Sequence, residues 1–373
     1  MGYESGGTPA NRPSIVLWAG VAGALLLVPP AFMVSTLGSL AALMLAAATL
    51  VMAAITVGVR LHRPAFPLPW WLILTSVGLA LAGNVIVSTL LPTAMSENAA
   101  AINVVYGITY PILCAGVALL PNQARPGAAM LGLTESAIIA CGAAVVWWML
   151  FVDPRLIDTG LITGHAYLLV EPFLDLILFG LGVRLLLLGD ARSVSYWLVS
   201  ASCVARLVAD TAYLTVGSTE GFPTPVSIVG WVVCNGLLAV AALHSSMKRT
   251  VPLPDGFGRY GTTWIYVGTV VATPVLSGVF LLREGLADTL SSSDVVVPMI
   301  ATAVTSALVV QRMRQLNRDA ARRAADLEEA LHNEADLQRE LLFRSAHDML
   351  TGLPGRSVLH ERLAAASLQA DRG

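Results

Sequence analysis

The chain has 373 residues, of which 56% are hydrophobic and only 12% charged. That composition excludes a soluble globular protein of this length and describes an integral membrane protein. With 22 basic against 24 acidic residues the formal net charge is −2, so nothing suggests nucleic-acid binding through a basic face.

Taken in chain order, residues 1–13 lack the basic region and small-residue cleavage site of a secretory signal and read as a short cytoplasmic tail. Residues 14–310 are expected to form a multi-span membrane domain. A bilayer core needs about 20 apolar helical residues. About ten such runs occur, near Ser14–Val34, Leu37–Val59, Pro69–Leu91, Ala99–Leu120 and Leu131–Val152, then Ala166–Leu188, Val194–Val216, Pro225–His244, Thr262–Leu282 and Val295–Val310. The fold class expected is therefore all-α and polytopic.

Loop charges orient these segments. One set of alternate connections holds Arg12, Arg60, Arg63, Arg125, Arg192, Lys248, Arg249 and Arg259, and the other only Arg155 and Arg283 among several acids. Basic loops stay in the cytoplasm. The N-terminus is therefore expected inside, and an even number of spans puts the C-terminal tail there too, in the cell (inner) membrane.

Ionisable residues within spans are costly and face a partner or a wet cavity. Glu171 and Asp175 are four apart on one helix face, as are Arg206 and Asp210 on the next helix. The short connection between those helices makes them antiparallel neighbours, which brings Asp175 level with Arg206 and Glu171 level with Asp210. Three acids and one base leave surplus negative charge unless a carboxyl is protonated or a cation binds. Asn84, Asn103 and Asn235 project to similar depths and complete a candidate pocket for an unknown small ligand or ion. Two readings stay open at this point, a ligand site and a structural ion pair with interhelical hydrogen bonds. Glu135, near the inner end of its helix, is expected at the interface. The histidines show no paired spacing for haem or copper, and Cys114, Cys141, Cys203 and Cys234 sit in apolar stretches as packing residues, so no metal site is expected.

From Gln311 to about 347 the chain has no Pro or Gly and interleaves charge with Met313, Leu316, Ala320, Leu327, Ala330, Leu337 and Leu341 at heptad spacing. A second register uses Ala320, Ala324, Leu327, Leu331 and Leu341. A cytoplasmic signalling helix is expected, pairing with a second copy in a parallel homodimer of modest stability. A solvated single helix is the alternative.

The helix then meets a breaker run in which Gly352, Pro354 and Gly355 interrupt it. Asp348, Leu350, Thr351, Gly352, Leu353, Pro354 and Arg356 make the string DMLTGLPGR, which resembles the D-x-L-T-G-L-P-N-R opening of the GGDEF domain of diguanylate cyclases, with Gly355 in place of Asn. The resemblance implies that residues 348–373 begin an α/β domain. In that family the signature loop binds substrate phosphates near metal-binding carboxylates, and two GTP-loaded domains face each other to make cyclic di-GMP. The chain shows none of those later segments, so no catalytic residue is carried over, and Mg and GTP are implied only for a complete GGDEF domain. The expected role is sensory and signal-transmitting, with enzyme activity expected of a full-length parent and not of this chain alone. Two alternatives remain, a multi-span transporter with a regulatory cytoplasmic tail, and a sensor histidine kinase fragment prompted by His347.

Overall fold

A computed structural model describes residues 12–90, 99–123, 133–152, 169–188, 193–217, 222–248, 268, 271–272, 274–282, 292–346, 360 and 363–367. Nearly all of these are helical and none lies in a strand. The chain divides into two compact units, Met1–Val309 and Val310–Gly373.

In the first unit, α1 spans Arg12–Leu26, beginning within the expected tail, and a short α2 spans Val28–Ala31, with Pro29 and Pro30 inside it. Then follow α3 (Leu37–His62), α4 (Leu68–Leu90), α5 (Ala99–Leu119), α6 (Leu133–Trp147), α7 (Val170–Leu188), α8 (Val194–Ala212) and α9 (Pro225–Leu243). A π-helical turn extends α6 over Trp148–Val152 and another extends α8 over Tyr213–Gly217. A further helix, α10, covers 274–282, and α11 runs from Ser292 to Ala346.

Local chemistry sets several of these ends. At the start of α3, Thr36 Oγ1 accepts from the Ser39 N–H at 3.2 Å while the Thr36 N–H donates to Ser39 Oγ at 3.1 Å, a reciprocal cap for two otherwise unpaired amides. Its other end closes on Arg63, whose φ of 47° turns the chain left-handed while its N–H donates to the Val59 carbonyl at 3.0 Å. Thr224 caps α9 by accepting from the Ser227 N–H at 3.3 Å, and Pro225 follows at the first helical position, where no amide hydrogen is needed.

Seven of the described helices are long and apolar enough to cross a membrane: Ser14–Ala31, Leu37–His62, Leu68–Ile86, Leu133–Phe151, Val194–Val216, Pro225–Leu243 and α11. The sequence offers about ten apolar runs, and the difference has identifiable causes. Within α7 the apolar run is interrupted by Glu171, Asp175 and Arg184, whereas most side chains of α5 before Gly107 and most of the run near 262–282 lie outside the described residues. Large apolar side chains such as Trp18, Val57, Trp197, Val208 and Val226 face outward. In water such a surface would be costly, whereas lipid tails solvate it.

Packing within the unit is cyclic. Helix α7 packs on α8, α8 on α9, α9 on α3, α3 on α4, α4 on α5, and α5 back on α7. Outside that ring, α6 lies on α7, and α1 lies on α9 and α3. The apolar core is drawn from Val51, Ile55, Trp70, Ile73, Leu178, Leu185, Val199 and Leu238, and it fills the part of the ring nearer the end that carries Arg63. Small residues let the backbones approach closely. A Cβ on Gly58 would collide with the Ala242 carbonyl, and one on Gly230 would lie 2.7 Å from the Ala209 Cβ, so α3–α9 and α9–α8 are glycine-dependent contacts. At the Arg63 end, buried His62 Nε2 hydrogen-bonds the Leu243 carbonyl at 2.8 Å, which ties α3 to the last turn of α9.

The second unit is described over the charged part of α11 and the short stretch 363–367. Its ion pairs run along one helix, with Arg339 on Asp336 at 2.7 Å, His332 on Asp336 at 3.5 Å and Arg344 on Glu340. Met313, Leu316, Leu327, Leu331, Leu337 and Leu341 are all exposed. The junction motif Asp348–Arg356 lies outside the described residues.

Candidate functional site

At the other end of the ring, away from Arg63, four helices converge on one charged centre. The spacing of Glu171 with Asp175 and of Arg206 with Asp210 gives α7 and α8 facing polar stripes, and the antiparallel packing of these helices brings the stripes together. Arg206 Nε donates to Asp175 Oδ1 at 3.1 Å and stands 4.0 Å from Asp210 Oδ2. Glu171 lies in the first turn of α7, within electrostatic range of Asp210 and Arg206. A carboxylate there also meets the partial positive charge of the helix N-terminus.

The two aromatic partners are as important as the charges. Tyr110 on α5 donates its hydroxyl to Asp175 Oδ1 at 2.9 Å, reaches Asp210 Oδ2 at 3.4 Å, and accepts from Arg206 Nε at 2.9 Å. Its ring also lies 4.6 Å beneath the Arg206 guanidinium, a cation–π contact in a place with little water to weaken it. Trp231 on α9 donates its indole N–H to Asp210 Oδ1 at 2.5 Å. The rings of Trp231 and Tyr213 pair at 5.9 Å beside it. Asp175 is fully buried, whereas a quarter of the Arg206 side chain is exposed, so the centre is deep but not sealed.

A search against protein-family models, curated proteins and solved structures finds no match. The site therefore has to be read from its own geometry.

The structure joins some of the expected residues and separates others. Asp175, Arg206 and Asp210 share one hydrogen-bonded centre, and Glu171 stands beside it. Asn235 instead turns back along its own helix, its Nδ2 donating to the Trp231 carbonyl at 2.8 Å, and Asn84 lies on an exposed part of α4. The Asn103 side chain lies outside the described residues. Glu135, expected at an interface, is buried in the first turn of α6, where the helix N-terminus favours a negative group.

Tyr110 and Trp231 were not among the candidates, because in a sequence they read as ordinary apolar residues of a span. Their signal is that a hydroxyl or indole N–H in mid-span needs a partner. Arg184 was missed as well. It is 1% exposed, and its Nη1 donates to the Ala118 carbonyl at 3.1 Å, at the C-terminal end of α5, where unpaired carbonyls attract a cation. An arginine thirteen residues after Glu171 in the same apolar run was the available clue. Near it, the Tyr196 hydroxyl donates to the Leu120 carbonyl at 3.1 Å, so α7 and α8 both hold the end of α5. Among the described residues no group of three His, Cys, Asp or Glu side chains has the geometry of a metal site.

Proposed function

We propose that the chain is the membrane-embedded sensory and signal-transmission module of a cyclic di-GMP signalling protein of the diguanylate cyclase type. The observation that carries the reading is the DMLTGLPGR string, which begins two residues beyond the end of α11. An uninterrupted helix that starts in an apolar segment and leads into an output-domain motif is a direct route from bundle to output.

Four further features belong to this reading. All ten apolar segments cross the cell membrane, with both the N-terminus and the C-terminal tail in the cytoplasm, as the positive loops require. The charged centre then lies in the outer half of the bilayer, where it meets a stimulus from outside. The exposed apolar residues of α11 pair with the same residues of a second copy. A homodimer is what a reaction between two GTP-loaded domains requires, and GTP and Mg belong to that output domain alone.

A chimera tests this. Residues 1–356 are joined in frame to the rest of an active GGDEF domain that lacks its own input, and cyclic di-GMP is measured in cells. Output that changes when one to four residues are deleted from 311–346, with a period of about 3.5 residues, supports transmission through the helix. Output that is indifferent to every deletion removes the proposal. Uptake of a solute by the reconstituted chain would favour a transporter, the reading that the charged membrane centre also fits.

A further inference from the structure

Within the charged centre the donors and acceptors do not balance. Asp175 is completely buried, and its Oδ2 has no hydrogen-bond donor among the described residues. The Asp210 carboxyl also neighbours Asp175, and two ionised carboxylates offer each other no donor. The hydrogen bonds formed here go to other atoms: Tyr110 and Arg206 Nε to Asp175 Oδ1, Tyr110 also reaching Asp210 Oδ2, and Trp231 to Asp210 Oδ1. A buried carboxylate oxygen left unsatisfied is strongly unfavourable. The shortfall is one of charge as well, since Glu171, Asp175 and Asp210 face a single guanidinium. A water molecule would satisfy the oxygen and leave the negative surplus in place.

We infer that this centre binds a small organic ammonium ion, its N–H groups directed at Asp175 Oδ2 and the Asp210 carboxyl. Two features define that chemistry. A primary ammonium is a compact charge with three donors, which suits neighbouring carboxylates. Trp231, which bonds Asp210, pairs its ring with Tyr213 at 5.9 Å, so aromatic surface lies next to that carboxyl, and aromatic surface attracts organic cations. The partial exposure of Arg206 marks where the ligand enters, and among the described residues its hydrogen bonds run through Nε. Its terminal nitrogens therefore remain available to a carboxylate on the same ligand, as in a zwitterionic amine. The inference rests on the sensory reading of this centre.

The test is thermal unfolding of the full chain in lipid nanodiscs, titrated with methylammonium chloride or with sodium chloride at equal ionic strength, and repeated with glycine. A saturable rise in the unfolding midpoint with methylammonium and not with sodium is expected. Glycine should act at a lower concentration if Arg206 takes the carboxylate. Asp175→Asn should weaken the apparent affinity at least tenfold, and Glu171→Gln, at the rim and not hydrogen-bonded in the centre, provides a second variant if the first does not fold. An equal response to both salts, or a midpoint that depends on pH alone, overturns the inference and assigns the unsatisfied oxygen to an alkali cation or a shared proton. Because binding is read without an output domain, a silent chimera with intact binding would fail the signalling proposal and leave this one standing.

Discussion

Trp231 and Asp210 sit on different helices and meet through a 2.5 Å hydrogen bond from indole N–H to carboxylate. That bond joins α9 to a charged centre otherwise built by α5, α7 and α8. Replacing Trp231 with Phe keeps an aromatic six-membered ring but removes the donor together with part of the indole. Hydrogen bonds to charged groups contribute about 1.5–3 kcal/mol. Thermal unfolding in detergent should show Trp231→Phe destabilised by roughly that amount, and Trp231→His, which keeps an N–H, destabilised less by the lost bond though more by the lost packing. A Phe variant as stable as the parent would show that Asp210 does not need this donor.

Arg206 supplies the only positive group hydrogen-bonded within the centre among the described residues. Arg206→Met should cost about 3–5 kcal/mol, because it leaves a buried carboxylate uncompensated. The double variant Asp175→Asn with Arg206→Met should recover part of that loss. The coupling energy is read from the four-variant cycle. Additive losses would mean that the two residues act independently, contrary to their 3.1 Å contact.

Gly58 and Gly38 lie on the same helix and should respond oppositely to alanine. A Cβ at position 58 strikes the Ala242 carbonyl, whereas position 38 has nothing within 4 Å. Gly58→Ala should therefore lose about 1–3 kcal/mol through forced separation of α3 and α9. Gly38→Ala should be neutral or gain up to about 1 kcal/mol, since alanine loses less backbone freedom in a helix. The comparison is made by unfolding midpoint and by the monodisperse fraction after heating.

The proposed pairing of α11 with a second copy predicts disulfide formation in membranes. Leu327→Cys, shared by both heptad registers, should cross-link readily, and Glu329→Cys, on the other side of the helix, should not. Ala330→Cys and Leu331→Cys report the two registers separately, and a stimulus that shifts the packing should change their ratio. No cross-linking at Leu327, Ala330 or Leu331 would mean a single solvated helix.

Much of the membrane unit was legible in the residues. Apolar runs mark helices because lipid admits few alternatives, and a spacing of four puts Glu171 beside Asp175 and Arg206 beside Asp210 whatever surrounds them. What could not be read was which further helices close around that pair. The closure that brings α5 against α7 is a long-range contact, so nothing local marks Tyr110 as the hydroxyl that would lie between two aspartates. Asn235 illustrates the opposite error: its depth suited the centre, but its rotamer serves its own helix. Arg184 was missed although its charge stands among leucines in the sequence, because its carbonyl partner on α5 is a long-range contact.

The closed circuit of helices has a mechanical consequence. Six rods joined side by side in a loop have no loose end, so a tilt imposed on α8 cannot dissipate at a free edge. It passes in both directions, through α9, α3 and α4 and through α7, until the two disturbances meet at α5. Such a linkage resists independent movement of any one member and yields more readily to a concerted twist of all six.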